Sequence, residues 1–227
     1  VEAAETIGDS WIYFGDSFGN TISPADQDSP PMSGVIRSMR RALGVESMVD
    51  MTVGGSGYVS QNANTYKVPS MLESPGNNTL FSIYNPTHII IACGFNDRDN
   101  GNRALVRSEA LRTWSLARNK FPQAKITIVG AWSGATGPDA NTISLNANLQ
   151  ADFTTWGDSN ARYLNPAKSV AEAWTNGDGS TGEAIGGTSG SASMYTGTDT
   201  LHPSPYGGRY LGERLAAEIT AAWADGF

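Results

Sequence analysis

The chain has 227 residues, 39% of them hydrophobic, which is enough for one sizeable core and an ordinary length for a single domain spanning residues 1–227. Its 22 acidic residues outnumber 15 basic ones, for a formal net charge of −7, and this argues against a nucleic-acid partner or an anionic membrane surface. Every apolar run falls well short of the roughly 20 residues needed to cross a bilayer, and a single cysteine, Cys93, excludes an internal disulfide. The opening residues VEAAETIGD lack the charged-then-apolar layout of a leader and read as the start of a mature or excised domain. Few lysines, many small polar residues and six tryptophans are compatible with a secreted or virion-associated protein.

Along the chain, WIYF (11–14) is a short run rich in β formers. Residues 30–43, PPMSGVIRSMRRAL, place Met32, Val35, Ile36, Met39 and Leu43 at helical spacing, open on proline and stop at Gly44. SMVDMTV (47–53) reads as a strand ending in the glycine-rich VGGSG. THIIIAC (87–93) is a continuous apolar run of the kind buried on both faces of a parallel sheet, and Cys93 fits there as a small buried hydrophobe. A helix is expected over 103–119, a strand over 124–132, a helix over 139–156, a short strand over 161–165 and a last helix over 204–224. Strands alternating with helices predict a three-layer α/β/α sandwich around a mostly parallel, flavodoxin-like five-stranded sheet. Residues 54–80 and 175–198, rich in glycine and polar residues, fit no element; the second stretch stands just before the well-placed histidine and reads as a pocket wall.

In open parallel sheets, ligands bind outside the carboxyl ends of the strands. The triplet Gly-Asp-Ser occurs twice, ending at Ser10 and at Ser17. Ser10 stands at the entry of the first strand and Ser17 just past its exit, on the order of 15–20 Å apart, so only Ser17 faces the functional edge. The same test assigns His88, which opens the run HIIIAC, to the far edge. His202, in TDTLHPSP, remains as the one imidazole able to serve Ser17 as a base. Asp199, three residues earlier, can fold back to fix the tautomer of that ring. Negative charge on a tetrahedral intermediate needs N–H donors, and these are offered after the second strand by the glycines of VGGSG and after the third by Asn96 in CGFND. Asp97 reads as a tether for its loop.

Taken in order, Gly15-Asp16-Ser17, the glycine block 53–57, Gly94-Phe95-Asn96-Asp97 and Asp199-Thr200-Leu201-His202 resemble the blocks of the SGNH hydrolases, also called GDSL-type esterases and lipases. The resemblance spans residues 15–202. It implies Ser17 as nucleophile, His202 as base oriented by Asp199, and an oxyanion hole formed by the Ser17 N–H, a block-two glycine N–H and the Asn96 amide. Gly55 best matches the donor position of the family pattern, with Gly54 and Gly57 left open. The chain departs from that pattern in having Phe18-Gly19 where the family name has leucine, and in lacking the asparagine often found before the block-two glycine. Gly15-Asp16-Ser17-Phe18-Gly19 also satisfies the G-x-S-x-G elbow of α/β-hydrolases, but that fold puts several strands before its elbow and draws Asp and His from separate loops.

An activated serine with an oxyanion hole transfers acyl groups to water through an acyl-enzyme. With no amphipathic lid, long-chain lipids are disfavoured. Trp132 and Ser133 follow the fourth strand, and Trp132 with Tyr58, Phe95 and Tyr195 is expected to line an aromatic, polar-rimmed cleft suited to sugar rings; Asp16 joins them as a candidate substrate contact. The expected substrate is a small-molecule or glycan ester, in particular an O-acetyl group on carbohydrate. The alternative is a carbohydrate-binding or virion-attachment module on the same scaffold. Residues 176–183, NGDGSTGE, offer alternating oxygens but depart from the EF-hand pattern, so no metal or other cofactor is implied.

Overall fold

Five short apolar runs form the strands of one sheet. A computed structural model describes residues 10–20, 34–61, 66–175 and 195–224. The strands are β1 (Ser10–Gly15), β2 (Ser47–Thr52), β3 (His88–Ala92), β4 (Lys125–Val129) and β5 (Ala161–Leu164), all parallel, in the order β2-β1-β3-β4-β5. The helices are α1 (Ser17–Asn20), α2 (Gly34–Leu43), α3 (Val68–Glu73), α4 (Pro75–Tyr84), α5 (Arg103–Lys120), α6 (Ala140–Trp156) and α7 (Pro205–Ala222).

The central strands are buried on both faces, and the period-2 alternation of their side chains divides the core in two. Ile12, Phe14, Ile89, Ile91, Ile126 and Ile128 point to one face, where α3, α4, α5 and α6 lay down residues such as Leu72, Phe81, Trp114 and Leu149. Trp11, Tyr13, Ile90, Ala92 and Val129 point to the other, covered by α2 and α7 through Ile36, Met39, Leu211 and Leu215. Each fully buried aliphatic side chain stabilises the fold by about 1.5–3 kcal/mol relative to exposure, so the run of three isoleucines in β3 anchors both layers at once. This is a three-layer α/β/α sandwich. Side-chain caps begin the long helices: Asn102 accepts the Leu105 N–H, Asp139 the Thr142 N–H and Ser204 the Gly207 N–H.

One expectation fails. Residues 54–80 contain α3 and the start of α4. Their prolines, Pro69 and Pro75, stand in the first helical turn, where a missing N–H costs nothing, and Val68, Met71 and Leu72 recur at helical spacing. The proline-opened start expected at 30–33 and most of the 175–198 stretch, including the oxygen-rich 176–183, lie outside the described residues.

In this strand order the chain reverses direction across the sheet between β1 and β3, which makes the crevice beyond their carboxyl ends the natural ligand position. Ser17 follows β1 and Asn96 follows β3. At the opposite edge, Ser10 opens β1, its hydroxyl donating to the Asn85 carbonyl at 3.1 Å. His88 is buried there, stacked on Trp11 at 4.0 Å and hydrogen-bonded through Nε2 to Thr127 Oγ1 at 2.8 Å. Burial, with Lys125 nearby, pushes its imidazole down to about 3, so this histidine is a neutral core residue.

Candidate active site

The turn after β1 is built by Asp16. Its Oδ1 accepts the Phe18 N–H at 3.0 Å and its carbonyl accepts the Gly19 N–H at 3.2 Å, which starts α1 directly at Ser17. Ser17 itself is only 8% exposed. Asp16 is fully enclosed, and its Oδ2 has no hydrogen-bond partner among the described residues. Burial pushes this carboxyl up to about 7, the Phe18 N–H holds it down, and Asp97 adds to the rise. An enclosed carboxyl that organises the turn at Ser17 presents no surface to a substrate, which corrects the expectation of a substrate contact at Asp16.

The loop after β2 is held from two sides. Val53 N–H and the Ser56 hydroxyl both donate to the Gly15 carbonyl, at 3.0 and 3.1 Å. On the other side the buried Asp97 carboxylate accepts three successive backbone N–H groups, from Tyr58 (2.6 Å), Val59 (3.2 Å) and Ser60 (2.8 Å). A side chain at Gly57 would have its Cβ 2.3 Å from Asp97 Oδ2, so glycine is required there for the carboxylate to reach in. A Cβ on Gly54 would stand 3.7 Å from Ser17 Cβ, so this glycine faces the serine. Gly55 takes the turn at φ +77°.

Asn96 sits in a single 3₁₀ turn after β3 (Phe95–Asp97). Its Nδ2 donates to the Ser56 carbonyl at 2.8 Å, and its own carbonyl accepts the Ser60 hydroxyl at 2.7 Å. The amide is thereby fixed beside the loop that also carries Gly54.

Asp199 and His202 share one loop. Asp199 Oδ2 lies 2.6 Å from His202 Nδ1, while Oδ1 accepts the N–H groups of Leu201 (3.0 Å) and His202 (2.9 Å). Partial burial works against the charge on Asp199, but these hydrogen bonds outweigh it and hold the carboxyl below its usual range. The loop is pinned to the segment after β4 by the Ala135 N–H, donated to the Thr200 carbonyl at 3.1 Å. Thr200 holds a left-handed φ of +60°, a strained position for a β-branched residue. The His202 ring lies 5.9 Å, centroid to centroid, from that of Phe18, the residue after Ser17.

The aromatic residues are distributed otherwise than expected. Tyr58 is sealed in the opposite core layer, its ring edge-on to Trp114 and its hydroxyl accepting the Trp114 indole N–H at 3.1 Å; the pull of Asp97 on residues 58–60 turns it inward. Phe95 and Trp132 flank Phe18 at 4.8 and 6.3 Å and form the packing beneath the His202 loop, with Trp132 edge-on to Trp174. Tyr195 stacks on Tyr210 at 4.0 Å. All four are at most 6% exposed; Tyr58, Trp132 and Tyr195 are packed into the core, whereas Phe95 reaches the wall of a surface cavity, as expected. A cavity of about 170 Å³ beside Leu201 is bounded by Phe95, Arg98, Ser133, Thr136, Asp139 and Thr200. Arg98 lies over the Phe95 ring at 3.8 Å. Its place directly after Gly94-Phe95-Asn96-Asp97 was the available sequence signal for this rim. Among the described residues no cluster of His, Cys, Asp or Glu is arranged to hold a metal ion, and no helix is long and apolar enough to cross a membrane.

No protein-family model matches this chain, and none of the curated proteins does. Solved structures share its fold. A family two carbohydrate esterase from Clostridium thermocellum, solved with cellohexaose, aligns with a TM-score of 0.63 at 22% identity over 96% of this chain and 66% of its own. Est24, a carbohydrate acetylesterase from Sinorhizobium meliloti, aligns at 0.62 with 16% identity over 94% and 99%. TesA aligns at 0.62 with 15% identity over the same shares. The chain thus spans just under two thirds of the family two esterase and nearly all of the two smaller proteins.

Proposed function

We propose that this chain is an SGNH-type serine esterase that removes short acyl groups, O-acetyl groups on carbohydrate in particular. In this reading Ser17 Oγ attacks the ester carbonyl carbon while His202 Nε2 takes the hydroxyl proton. The oxyanion of the tetrahedral intermediate receives N–H donors from the Ser17 backbone, from the Gly54-Gly55 pair and from Asn96 Nδ2. Its collapse breaks the bond to the leaving alkoxide, which takes the proton back from His202. A water then attacks the acyl-enzyme by the same route and releases the free acid and Ser17.

The observation that carries the reading is the Asp199–His202 pair. With Nδ1 committed to the carboxylate, Nε2 is the ring nitrogen left for proton transfer, on a ring packed against the residue that follows Ser17. Asp199 then stabilises the imidazolium formed during attack. The hydroxyl-lined cavity beside Leu201 suits a sugar leaving group, whose hydroxyls need donors and acceptors more than apolar surface. The neighbours of like fold include carbohydrate esterases, which favours an esterase over a binding or attachment module.

The test is hydrolysis of p-nitrophenyl acetate, p-nitrophenyl esters of rising chain length and a panel of acetylated oligosaccharides. Ser17→Ala is expected to abolish turnover with its thermal unfolding unchanged, and acetyl is expected to be preferred over longer acyl groups. Unchanged turnover by Ser17→Ala rejects the serine mechanism. A wild type inert toward every ester, with retained glycan binding, favours the module.

A further inference from the structure

Three of the chain's 15 basic residues crowd one face of α2. Arg37, Arg40 and Arg41 stand at i, i+3 and i+4 and bound, with Gly44 and Val45, a cavity of about 430 Å³. That lies within the roughly 300–1,000 Å³ usual for small-molecule sites. The cavity is remote from Ser17: α2 runs into β2, whose first residue pairs with Ser10 at the amino edge of the sheet.

The arrangement is costly without a ligand. Like charges at i, i+3 and i, i+4 on a helix repel, and α2, GVIRSMRRAL, contains no acidic residue to offset them. None of the three arginines forms an ion pair among the described residues. The field of the helix C-terminus favours a cation in the last turn, which accounts for Arg40 or Arg41 but not for three arginines bordering one cavity. Arg40 is also pre-oriented: its Nε donates to the Val45 carbonyl at 3.0 Å and its Nη2 to the Glu46 carbonyl at 2.5 Å, which holds the planar fork in place. Gly44, at φ +68°, leaves open space where a side chain would stand.

We propose that this cavity binds a sulfate or phosphate group, held by Arg37 and Arg41 against the fixed Arg40. Guanidinium groups match the paired oxygens of such anions in geometry and charge, and a dianion relieves the repulsion among the three. In a protein of net charge −7, so local a positive cavity selects a discrete anionic group and not an extended basic track along a polymer.

The test uses the full chain at constant ionic strength, titrated with inorganic phosphate, sulfate, a monosaccharide phosphate, dextran sulfate and neutral dextran, and followed by calorimetry and thermal unfolding. Saturable binding of the oxyanions, absent with chloride and neutral dextran and at least 10-fold weaker in Arg37→Gln/Arg41→Gln, is the expected result. Response to the small anions assigns the site to a free phosphate or sulfate ester, whereas response to dextran sulfate alone assigns it to a sulfated glycan. The double variant keeps Arg40 and its carbonyl bonds and loses only repulsion, so it is expected to unfold in chloride no earlier than wild type. Equal binding by wild type and the double variant, or no binding by wild type, overturns the proposal. The outcome is independent of Ser17 chemistry, since Ser17→Ala is expected to bind the anions as wild type does.

Discussion

Asp199 grips His202 twice, by the ring through Nδ1 at 2.6 Å and by the backbone N–H at 2.9 Å. Asp199→Asn keeps the size of the side chain but replaces a carboxylate, whose two oxygens each accept one of these contacts, with an amide that has a single accepting oxygen. The wrong ring tautomer and an unsupported imidazolium are expected to lower kcat by about 10²–10⁴ with KM little changed. Steady-state kinetics on an acetyl ester checks this, and a variant at full rate removes Asp199 from the mechanism.

Asn96→Ala deletes the Nδ2 held at Ser56 O and leaves the backbone contact to Ser60. If Asn96 donates to the oxyanion as proposed, its loss is expected to lower kcat by about 10²–10³. A fall confined to KM instead assigns Asn96 to ground-state binding.

The two glycines of the loop after β2 should separate stability from activity. At Gly57 an added methyl runs into Asp97 and forces the three N–H bonds apart, so Gly57→Ala is expected to lower stability by at least ~2 kcal/mol, about 4–8 °C in Tm for a domain of this size. At Gly54 the methyl meets Ser17 Cβ at ordinary van der Waals distance, so Gly54→Ala is expected to fold near wild-type Tm while turnover falls. Calorimetry beside ester hydrolysis reads both.

Two buried groups give stability opposite slopes with pH. Asp16 has a native value of about 7 against an ordinary 3.8; between these values the native chain holds a proton that the unfolded chain has lost, so stability falls as pH rises from about 4 to 7. Asp16→Asn is expected to flatten that slope, a gain of roughly 2–4 kcal/mol at most at pH 8, while its amide oxygen still accepts from Phe18. His88, at about 3 against 6.5, binds its proton only when unfolded, so stability also falls as pH drops from about 6.5 toward 3, and His88→Gln is expected to reduce that loss. Urea titrations across pH 4–8 distinguish the two; an unchanged slope in either variant dismisses that group.

Much of this architecture was legible because it depends on periodicity and on position relative to strand ends. The isoleucine run of β3 announced a doubly buried parallel strand, and the carboxyl-edge rule separated Ser17 from Ser10 and His202 from His88. What escaped was set by contacts across the fold. Pro69 and Pro75 read as breakers, yet stand where helices tolerate them. Tyr58 read as a cleft aromatic, yet Asp97, 39 residues away in the chain, draws its backbone inward. Asp16 has an ordinary carboxylate's sequence signature, and only its enclosure marks it as a structural group. Arg98 and the rim around Thr200 become neighbours only because the Asp199–His202 loop folds onto the segment after β4.

The bonds from residues 58–60 to Asp97 carry a dynamic implication. Among the described residues β2 is an edge strand paired only with β1, and edge strands open first in native fluctuations. The amides of Tyr58 and Ser60, though next to that edge in the chain, hang from a carboxylate at the end of central β3. Their deuterium uptake is therefore expected to keep the slow pace of β3 while β2 itself exchanges sooner, so fraying of the margin leaves the loop beside Ser17 in register.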